Sequence, residues 1–489
     1  MNEFILPAAC VAGQRLESSE ARTPIFAAAS GARIGWQQSA SPSQVGQAVA
    51  AARAALPGWR DAPPAVRGAV LRRVVAGVEA RHDELVQWQM RINGKPRAEA
   101  ELDVADVAAC FAYYAGLCEL GEAFAVERVD VGDGGGSGVI AERFHAAVGV
   151  AALVVPWNFP MVTTAWKLAP ALAAGCTVVL KPSELTSPAE HALFDLLAEA
   201  GLPAGVANLV NGDARVGAAL VAHAGIDKIS FTGSTAVGTK IMQQAALDMR
   251  RVTLELGGKS ALIIREDADV ELAVSLAVAG AFANAGQMCS ATSRILVHDA
   301  LYRRFMSEFE IAVRGLVVGA PEPGPGQAPS QMGPLVSRAH LDRVQSLLLQ
   351  GLDGGARIAF TGRLAPHAGD GFYMAPVVVA EPPADNLLWR EEIFGPMACV
   401  RSFRDDDEAL AQANATAYGL VATVVTESAQ ATARYQAELR AGLVWVNTPQ
   451  LIFPQVCWGG LGASGIGREL GLQGLRAYQE LRHAVRRAP

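Results

Sequence analysis

The chain has 489 residues, of which about half (51%) are apolar, so it is long enough for two or more domains with sizeable cores. Its net charge of −7, with both signs interspersed, excludes the basic surface that nucleic acid or an anionic membrane requires, and no apolar stretch is long enough to cross a bilayer. The seven cysteines are dispersed and lack C-x-x-C spacing, which predicts reduced thiols and a cytoplasmic location.

The first predicted elements are helices, because residues 43–59 and 65–91 repeat apolar side chains at helical spacing. A Gly-rich turn between alternating segments near 125–147 predicts a projecting β-hairpin. Short apolar runs then alternate with helical segments, which is typical of parallel strands with crossover helices and predicts an α/β fold. These runs are VGVAALVVP, CTVVLKP, VANLVNG, KISFTGS and SALIIRE. A second series beyond Cys289 predicts a second α/β domain: SRILVHD, VVVAEP, LVATVVTE and GLVWVN.

A nucleotide site is suggested where a buried run ends at Phe231 and a helix begins at Ser234 after Gly233. A helix N-terminus presents free N–H groups that suit a pyrophosphate. Upstream, Lys181 and Glu184 end another strand, and a carboxylate there would bind a ribose diol and repel a 2′-phosphate, which favours NAD. Taken singly, the two features also fit an ordinary strand–helix junction and a surface Lys–Glu pair.

Three residues form a candidate catalytic set. Cys289 lies in the small-residue segment FANAGQMCSATSR, and Glu255 lies between leucines, where burial would raise its pKa and suit a general base. Asn158 in VVPWNFP offers an uncharged donor for an oxyanion. Alone, each also fits a core thiol, a paired carboxylate or a turn asparagine, but together they match covalent catalysis at a carbonyl. No two histidines have metal-ligand spacing, so no metal site is predicted.

Seven segments resemble, in the same order, the signature segments of the NAD(P)-dependent aldehyde dehydrogenase superfamily. They are PWNFP, LKPSE, FTGSTAVG, LELGGKS, GQMCSATSR, EEIFGP and SGIGRELG, spread over 156–471. The resemblance covers essentially the whole chain and implies a Rossmann-type cofactor domain, an α/β catalytic domain and a small β oligomerisation arm. The implied ranges are 1–124 and 148–254 for the cofactor domain, 255–463 for the catalytic domain, and 125–147 with 464–489 for the arm. A homodimer or homotetramer is implied.

The resemblance also implies catalytic roles. Cys289 would attack the aldehyde and form a thiohemiacetal and then a thioester. Asn158, with the Cys289 backbone N–H, would bind the oxyanion, and Glu255 would activate the hydrolytic water. Lys167 and Glu469 match a proton relay behind the base, although a purely structural buried ion pair is the equal alternative.

The cofactor implied is NAD, with NADP as the less favoured alternative. Its matching contacts follow the ends of successive strands and the EEIFGP segment. They are Val155, Pro156, Trp157, Lys181, Ser183, Glu184, Gly212, Gly217, Phe231, Gly233, Ser234, Leu256, Gly257, Glu392 and Phe394.

Within the superfamily, 442–471 and the segment ELDVADVAACFAYYAGL are most similar to the betaine aldehyde and aminoaldehyde dehydrogenases. That similarity implies a substrate tunnel with aromatic walls and carboxylates at its mouth, suited to an aldehyde with a cationic tail. The matching residues are Asp103, Asp106, Phe159, Trp166, Phe453 and Trp458. The alternative is that these aromatic rings belong to an ordinary core.

Some positions depart from that group. Ala283 stands where a Trp is frequent, Phe159 where a Tyr is frequent, Leu443 where a small residue accompanies betaine aldehyde use, and Gly462 where a Lys is common. The departures favour primary ω-aminoaldehydes. Betaine aldehyde and broad-specificity oxidation are the alternatives. A CoA-acylating enzyme is disfavoured because it needs no base for water, and a non-catalytic structural protein is disfavoured by the complete catalytic set.

Overall fold

The structure is a computed structural model that describes residues 3–131 and 139–487. Its strands, in chain order, are β1 Phe4–Leu6, β2 Ala9–Val11, β3 Gln14–Leu16, β4 Arg22–Phe26, β5 Arg33–Gln38, β6 Glu127–Val129, β7 Val139–Ala147, β8 Val150–Val154, β9 Thr177–Lys181, β10 Ala207–Val210, β11 Lys228–Thr232, β12 Arg251–Glu255, β13 Ala261–Ile264, β14 Arg294–His298, β15 Arg357–Thr361, β16 Val377–Ala380, β17 Met397–Phe403, β18 Val421–Val425, β19 Leu443–Val446, β20 Gly465–Ile466 and β21 Gln479–Arg487.

The α-helices lie between and around these strands. They are α1 Pro42–Arg60, α2 Pro64–Ala80, α3 His82–Asn93, α4 Arg97–Leu120, α5 Pro160–Ala174, α6 Pro188–Glu199, α7 Ala214–Ala222, α8 Thr235–Ala246, α9 Val270–Phe282, α10 Asp299–Gly315, α11 Arg338–Asp353, α12 Leu387–Arg390, α13 Asp406–Asn414, α14 Ala429–Glu438 and α15 Gly471–Arg476. The helical periodicity over 65–91 is confirmed as two helices, α2 and α3, that meet at Arg81. Among the described residues, no helix combines the length and the apolarity needed to cross a membrane.

The first large sheet has the strand order β20-β12-β11-β8-β9-β10-β2-β3. Its central strands, β12 to β10, are parallel, and helices pack on both faces, so their side chains are almost all buried. The chain runs outward from β8 through β9 to β10, then returns to the other side of β8 as β11. A crevice therefore opens at the carboxyl ends of β8 and β11, where the strand order reverses.

The second large sheet has the order β15-β16-β17-β14-β13-β18-β19 and confirms the predicted second α/β unit. Strand β13, the SALIIRE run, also lies in this sheet although it precedes Cys289. The chain therefore passes from one sheet to the other directly after Glu255, at the end of β12. This crossing places the catalytic candidates between the two sheets.

A smaller sheet has the order β21-β7-β6, and its antiparallel β6–β7 pair confirms the predicted hairpin. The Gly-rich turn of that hairpin falls outside the described residues. Gly465 and Ile466 pair with β12 in the first large sheet, so the start of the arm predicted for 464–489 differs from the structure. This part of the chain instead reaches Glu255, which is how Glu469 comes to lie behind the candidate base.

Candidate active site

Cys289 lies in a tight turn that follows α9. Asn284, Ala285 and Gly286 all have positive φ, at 49°, 54° and 72°. At Gly286 a Cβ would fall 2.2 Å from the Gly395 carbonyl oxygen, so only glycine fits this left-handed position. The small residues around the thiol are thus required by the backbone path that presents Cys289.

The surroundings of the Cys289 thiol favour its protonated form. Burial, and secondarily the nearby carboxylates of Glu392 and Glu255, raise its pKa to about 12, while the backbone N–H groups of Ser290 and Cys289 partly oppose that shift. A thiol is a weak nucleophile compared with its thiolate. Reaction at Cys289 therefore requires a group that accepts the thiol proton.

Asn158 is tied directly to the loop that carries the cysteine. Its side-chain Nδ2 donates to the Gln287 carbonyl at 2.9 Å. In return, Asn284 Nδ2 donates to the carbonyls of Asn158 at 3.1 Å and of Gln287 at 3.2 Å. These bonds fix the amide donor and the nucleophile loop relative to each other, as an oxyanion site requires.

Glu255 is a buried carboxylate without a hydrogen-bond partner. It ends β12, is 3% exposed, and neither of its oxygens is bonded. Burial, with the charge of Glu469, raises its pKa well above the usual value, against the opposing effect of Lys167 and Arg468. A carboxylate in this state is suited to accept a proton near neutral pH.

Lys167 and Glu469 form the buried ion pair that the sequence left as one of two alternatives. Lys167 Nζ contacts Glu469 Oε1, and Ser230 Oγ donates to the same oxygen at 3.3 Å. Glu469 Oε2 has no partner. The pair lies close enough to Glu255 to alter its pKa, so the geometry is compatible with both the structural and the relay role.

The predicted cofactor contacts lie at the carboxyl ends of the parallel strands, around the crevice between β8 and β11. After β8 come Val155, Pro156 and Trp157; at or after β9 come Lys181, Ser183 and Glu184; after β10 come Gly212 and Gly217; at β11 and the start of α8 come Phe231, Gly233 and Ser234; after β12 come Leu256 and Gly257. Glu392 and Phe394 approach from the second sheet's side.

The crevice fits a dinucleotide. Ser234 is the N-cap of α8 as predicted, with its Oγ accepting from the Val237 N–H at 3.4 Å, and the Thr232 hydroxyl beside it is buried without a partner. Glu392 Oε1 accepts from the Gly258 N–H at 2.9 Å. A Cβ on Gly257 would fall 2.4 Å from the Glu392 carboxylate, so a larger residue at this position would displace that side chain. Free helix N–H groups and an unused hydroxyl are donors of the kind that bind a pyrophosphate.

Glu184 lies beside Lys181 instead of standing alone. Lys181 Nζ is 3.3 Å from Glu184 Oε2, and the glutamate side chain is about one third exposed. The Ser183 hydroxyl accepts from the Leu185 N–H at 3.3 Å and shapes the turn. The carboxylate keeps one oxygen free of this pair, so it can still meet a ribose diol.

His340 is a site residue that the sequence did not indicate. Its ring packs against Trp157 at 5.0 Å between centroids, and Trp157 packs edge-on against Phe394 at 5.4 Å. His340 Nε2 is 2.8 Å from the Phe394 carbonyl. No local pattern marks His340, because its neighbours come from the segment after β8 and from the segment after α12.

Two of the predicted substrate residues lie together with one carboxylate. The rings of Trp166 and Trp458 are 5.5 Å apart, and Trp166 Nε1 donates to Asp106 Oδ2 at 3.2 Å. Burial raises the pKa of Asp106 to about 7. Trp445 joins the pair at 6.2 Å from Trp458, and it was missed because it alternates as an ordinary strand residue in GLVWVN. Cys289 packs against the same apolar cluster as these rings.

The expectation of Asp103 as a free carboxylate at a tunnel mouth is wrong. Asp103 is 5% exposed and pairs with Lys95 at 2.5 Å, with a further bond from Gln89. Lys95 Nζ in turn lies 3.7 Å from the centre of the Phe159 ring. A buried carboxylate needs such a counter-ion, and the spacing of Asp103 and Asp106 alone could not reveal it. Phe453 is 51% exposed, so it belongs neither to the core nor to the tryptophan cluster.

Comparison with known proteins gives a consistent result. Residues 16–484 match the aldehyde dehydrogenase family. The chain is 38% identical to betaine aldehyde dehydrogenase 1 of Oryza sativa subsp. japonica, covering 97% of this chain and 94% of that protein. It is 39% identical to aminoaldehyde dehydrogenase 2 (peroxisomal) of Pisum sativum, covering 95% and 92%. The structure also resembles betaine aldehyde dehydrogenase from Staphylococcus aureus in complex with NAD+, with a TM-score of 0.93, 32% identity and coverage of 98% and 94%.

Proposed function

This chain belongs to the aldehyde dehydrogenase family, and on that premise we propose that it oxidises ω-amino and other cationic aldehydes to carboxylic acids with NAD. Aldehyde oxidation with a nicotinamide cofactor follows from the family. The observation that carries the catalytic assignment is the grouping of a protonated thiol, an amide donor and an unpartnered buried carboxylate between the two sheets. The substrate class and the choice of NAD are the finer parts of the proposal.

The catalytic residues act in two halves. Cys289 Sγ bonds to the aldehyde carbon as the thiol proton passes to solvent water at this partly exposed residue, and the developing oxyanion accepts hydrogen bonds from Asn158 Nδ2 and the Cys289 N–H. A nicotinamide bound in the crevice would supply the hydride acceptor, and Cys289 would then carry the acyl group as a thioester. In the second half Glu255 takes a proton from water, the water oxygen attacks the thioester carbon, and the C–S bond breaks to release the acid.

Different residues would hold the different parts of the cofactor. Gly233, Ser234 and the N–H groups at the start of α8 suit the pyrophosphate. Lys181 and Glu184 suit the adenosine ribose. Glu392 reaches the end of β12 and suits the nicotinamide ribose.

The preference for a cationic substrate rests on Asp106 and the tryptophan cluster. Lys95 neutralises Asp103, so Asp106 is the carboxylate left to meet a cation beside Trp166 and Trp458. A partly desolvated cation–π contact contributes roughly 0.5–2 kcal/mol, and a carboxylate adds about 1 kcal/mol. These contributions favour cationic over neutral aldehydes by about tenfold to a hundredfold.

Asp106→Asn should lower kcat/KM for 3-aminopropanal and 4-aminobutanal about fivefold while leaving hexanal nearly unchanged. Because the pKa of Asp106 is about 7, the wild-type preference for the cationic aldehydes should also grow from pH 6 to pH 8, as the carboxylate ionises. The measurement is a kcat/KM panel that includes betaine aldehyde and benzaldehyde.

The matched control is Glu101→Gln, which removes an exposed carboxylate from the same helix. The cationic substrate class would be excluded if Asp106→Asn lost kcat/KM equally for charged and neutral aldehydes. It would also be excluded if the wild type had a higher kcat/KM for neutral aldehydes than for every cationic one. A clear optimum for betaine aldehyde would favour the alternative substrate.

Glu184→Gln should narrow the preference for NAD over NADP by about tenfold, because removing one carboxylate lessens the repulsion of the 2′-phosphate. The ratio of kcat/KM for the two cofactors measures the effect. Glu199→Gln, on the exposed end of α6, is the matched control. A wild-type enzyme that prefers NADP would refute this part of the proposal.

A homodimer or homotetramer is proposed from uncovered edges. Strand β21 is nine residues long, forms an edge of the small sheet, and exposes Leu481 and Val485 by 55% and 68%. A long edge strand leaves a row of backbone N–H and C=O groups unpaired, and a second copy of the chain can pair with them and cover the two exposed apolar side chains. Light scattering should give at least twice the 51.1 kDa chain mass, and Val485→Arg should shift it downward. A wild-type species near 51.1 kDa at micromolar concentration would contradict the assembly.

A further inference from the structure

The turn that presents Cys289 has an unfavourable backbone conformation. Asn284 and Ala285 are consecutive residues in the left-handed region, with φ and ψ of 49° and 35° for the first and of 54° and 35° for the second. Residues other than glycine adopt such angles at a cost, and the conformation persists only where the surrounding structure fixes it. Contacts from outside the turn are therefore needed to hold the cysteine loop in place.

One such contact comes from α4. Helix α9 ends at Phe282 and the chain turns away at Ala283, with φ −54° and ψ 140°, so the next N–H group does not continue the hydrogen bonds of that helix. The Asn284 N–H donates instead to Oε1 of Glu99, in the first turn of α4, at 2.9 Å. Asn284 is only 5% exposed, so without Glu99 this N–H would be a buried donor that lacks an acceptor.

The Glu99 carboxylate lies where general electrostatics do not favour it. The carboxyl end of a helix carries a partial negative charge, and Glu99 meets the chain directly after the end of α9. Burial raises the pKa of Glu99 to about 7, against the opposing effects of the Asn284 N–H and Lys95. Within the described part of the chain, its Oε2 has no hydrogen-bond partner. The hydrogen bond to Asn284 is thus the interaction that accounts for the position of this side chain.

A cavity borders the turn on the same side. It has a volume of about 560 Å³, and its lining includes Glu99, Phe282 and Ala283. The small side chain at Ala283 leaves this space open. Because apolar packing is incomplete here, the hydrogen bond from Asn284 to Glu99 is an important restraint on this side of the turn.

Asn284 connects this restraint to the catalytic groups. Its Nδ2 donates to the carbonyl oxygens of Asn158 at 3.1 Å and Gln287 at 3.2 Å. The Gln287 carbonyl also accepts from Asn158 Nδ2 at 2.9 Å, and Gln287 precedes Cys289 by two residues. A displacement of Asn284 would therefore move the oxyanion donor relative to the thiol.

We propose that Glu99 is a positioning residue, whose carboxylate holds the Asn284 N–H and thereby keeps Asn158 Nδ2 and the Cys289 N–H directed at one oxyanion. The inference rests on the proposed function. In this role Glu99 contacts neither the aldehyde nor the reacting atoms, and it exchanges no proton. Its loss should lower the rate of the chemical step and leave binding of aldehyde and NAD largely intact, since misplaced oxyanion donors stabilise the transition state less well.

The test uses three variants that separate the hydrogen-bond acceptor from the charge. Glu99→Leu removes both, Glu99→Gln keeps an acceptor oxygen without the charge, and Glu99→Asp keeps the charge on a side chain one methylene too short. The aldehyde is hexanal, which is neutral, so no substrate cation responds to the altered charge. Glu99→Leu and Glu99→Asp should slow the NADH burst at saturating hexanal about tenfold, with KM and NAD affinity within about twofold of wild type. Glu99→Gln should stay within about threefold.

A second measurement does not depend on activity. Hydrogen exchange of the peptide 282–288, followed by mass spectrometry in the absence of NAD and aldehyde, should become about tenfold faster in Glu99→Leu and Glu99→Asp. In Glu99→Gln it should remain close to wild type. The matched control is Glu101→Leu, which places the same apolar side chain at an exposed position of α4 and should change neither the burst nor the exchange.

Two results would overturn the proposal. Equal loss of the burst in Glu99→Gln and Glu99→Leu, with Glu99→Asp close to wild type, would show that the charge matters and the acceptor does not. A burst within about twofold of wild type in both Glu99→Leu and Glu99→Asp would show that the contact does not position the catalytic groups. If Glu99→Leu does not fold, the opposite behaviour expected of Glu99→Gln and Glu99→Asp still decides. A wild-type enzyme that gives no NADH burst with any aldehyde would instead refute the proposed function, so the two failures are distinguishable.

Discussion

Replacing Cys289 with alanine should lower aldehyde-dependent NADH formation by at least about a thousandfold, because no thioester can form without the thiol. The cofactor crevice should be unaffected, since its donors lie at the ends of β8 to β12 and on the EEIFGP segment. NADH production by absorbance and NAD binding by calorimetry measure the two properties separately.

Cys10→Ala is the matched control, because Cys10 is another partly buried thiol and lies outside the candidate site, 3.8 Å from His191. It should keep wild-type turnover. Comparable aldehyde oxidation by Cys289→Ala would show that a different group performs the chemistry. Loss of cofactor binding in that variant would mean that the loop after α9 has collapsed, and Cys289→Ser would then replace it in the assay.

Glu255→Gln should give one equivalent of NADH per active site and then stall, with steady turnover reduced by roughly a hundredfold or more. Glutamine preserves the shape of the side chain but cannot take a proton from water. Burial raises the pKa of Glu255, so wild-type hydrolysis should accelerate as rising pH generates the carboxylate, and this pH dependence should disappear in the variant. Stopped-flow absorbance measures both phases.

Steady turnover near the wild-type rate would remove the role of base from Glu255. If CoA released the acyl group from the stalled Glu255→Gln variant, the result would have a different meaning. It would show that the acyl group can transfer to an external thiol, and it would reopen the CoA-acylating alternative if the wild type also preferred CoA to water.

Much of the fold could be predicted from the sequence because the local residue patterns agree with the positions that those segments occupy in the structure. The apolar runs between helical segments are buried on both sides in the two large sheets, and Ser234 caps α8 as its residue type predicts. Cys289, Glu255 and Asn158 were identifiable because each occupies a loop or strand end next to an unusual local composition. Such features depend on a few consecutive residues.

The site details that the sequence could not provide depend on contacts between distant segments. Asp103 seemed available to a cation, yet Lys95, on the loop before the same helix, neutralises it. His340 packs edge-on against Trp157 from a helix on the side of the other sheet. In the sequence Ser230 is an ordinary strand serine, and only the structure shows that its hydroxyl donates a hydrogen bond to Glu469, more than two hundred residues later. In each of these three examples the environment of the residue is set by a contact that only the folded structure shows.

The measurement that tests the central claim most directly is peptide mapping of Glu255→Gln quenched during its stall. The peptide that contains Cys289 should carry the acyl group of the aldehyde in place of the thiol hydrogen, in the same amount as the NADH formed. An acyl group on any other residue, or NADH formed with Cys289 unmodified, would contradict oxidation through a Cys289 thioester.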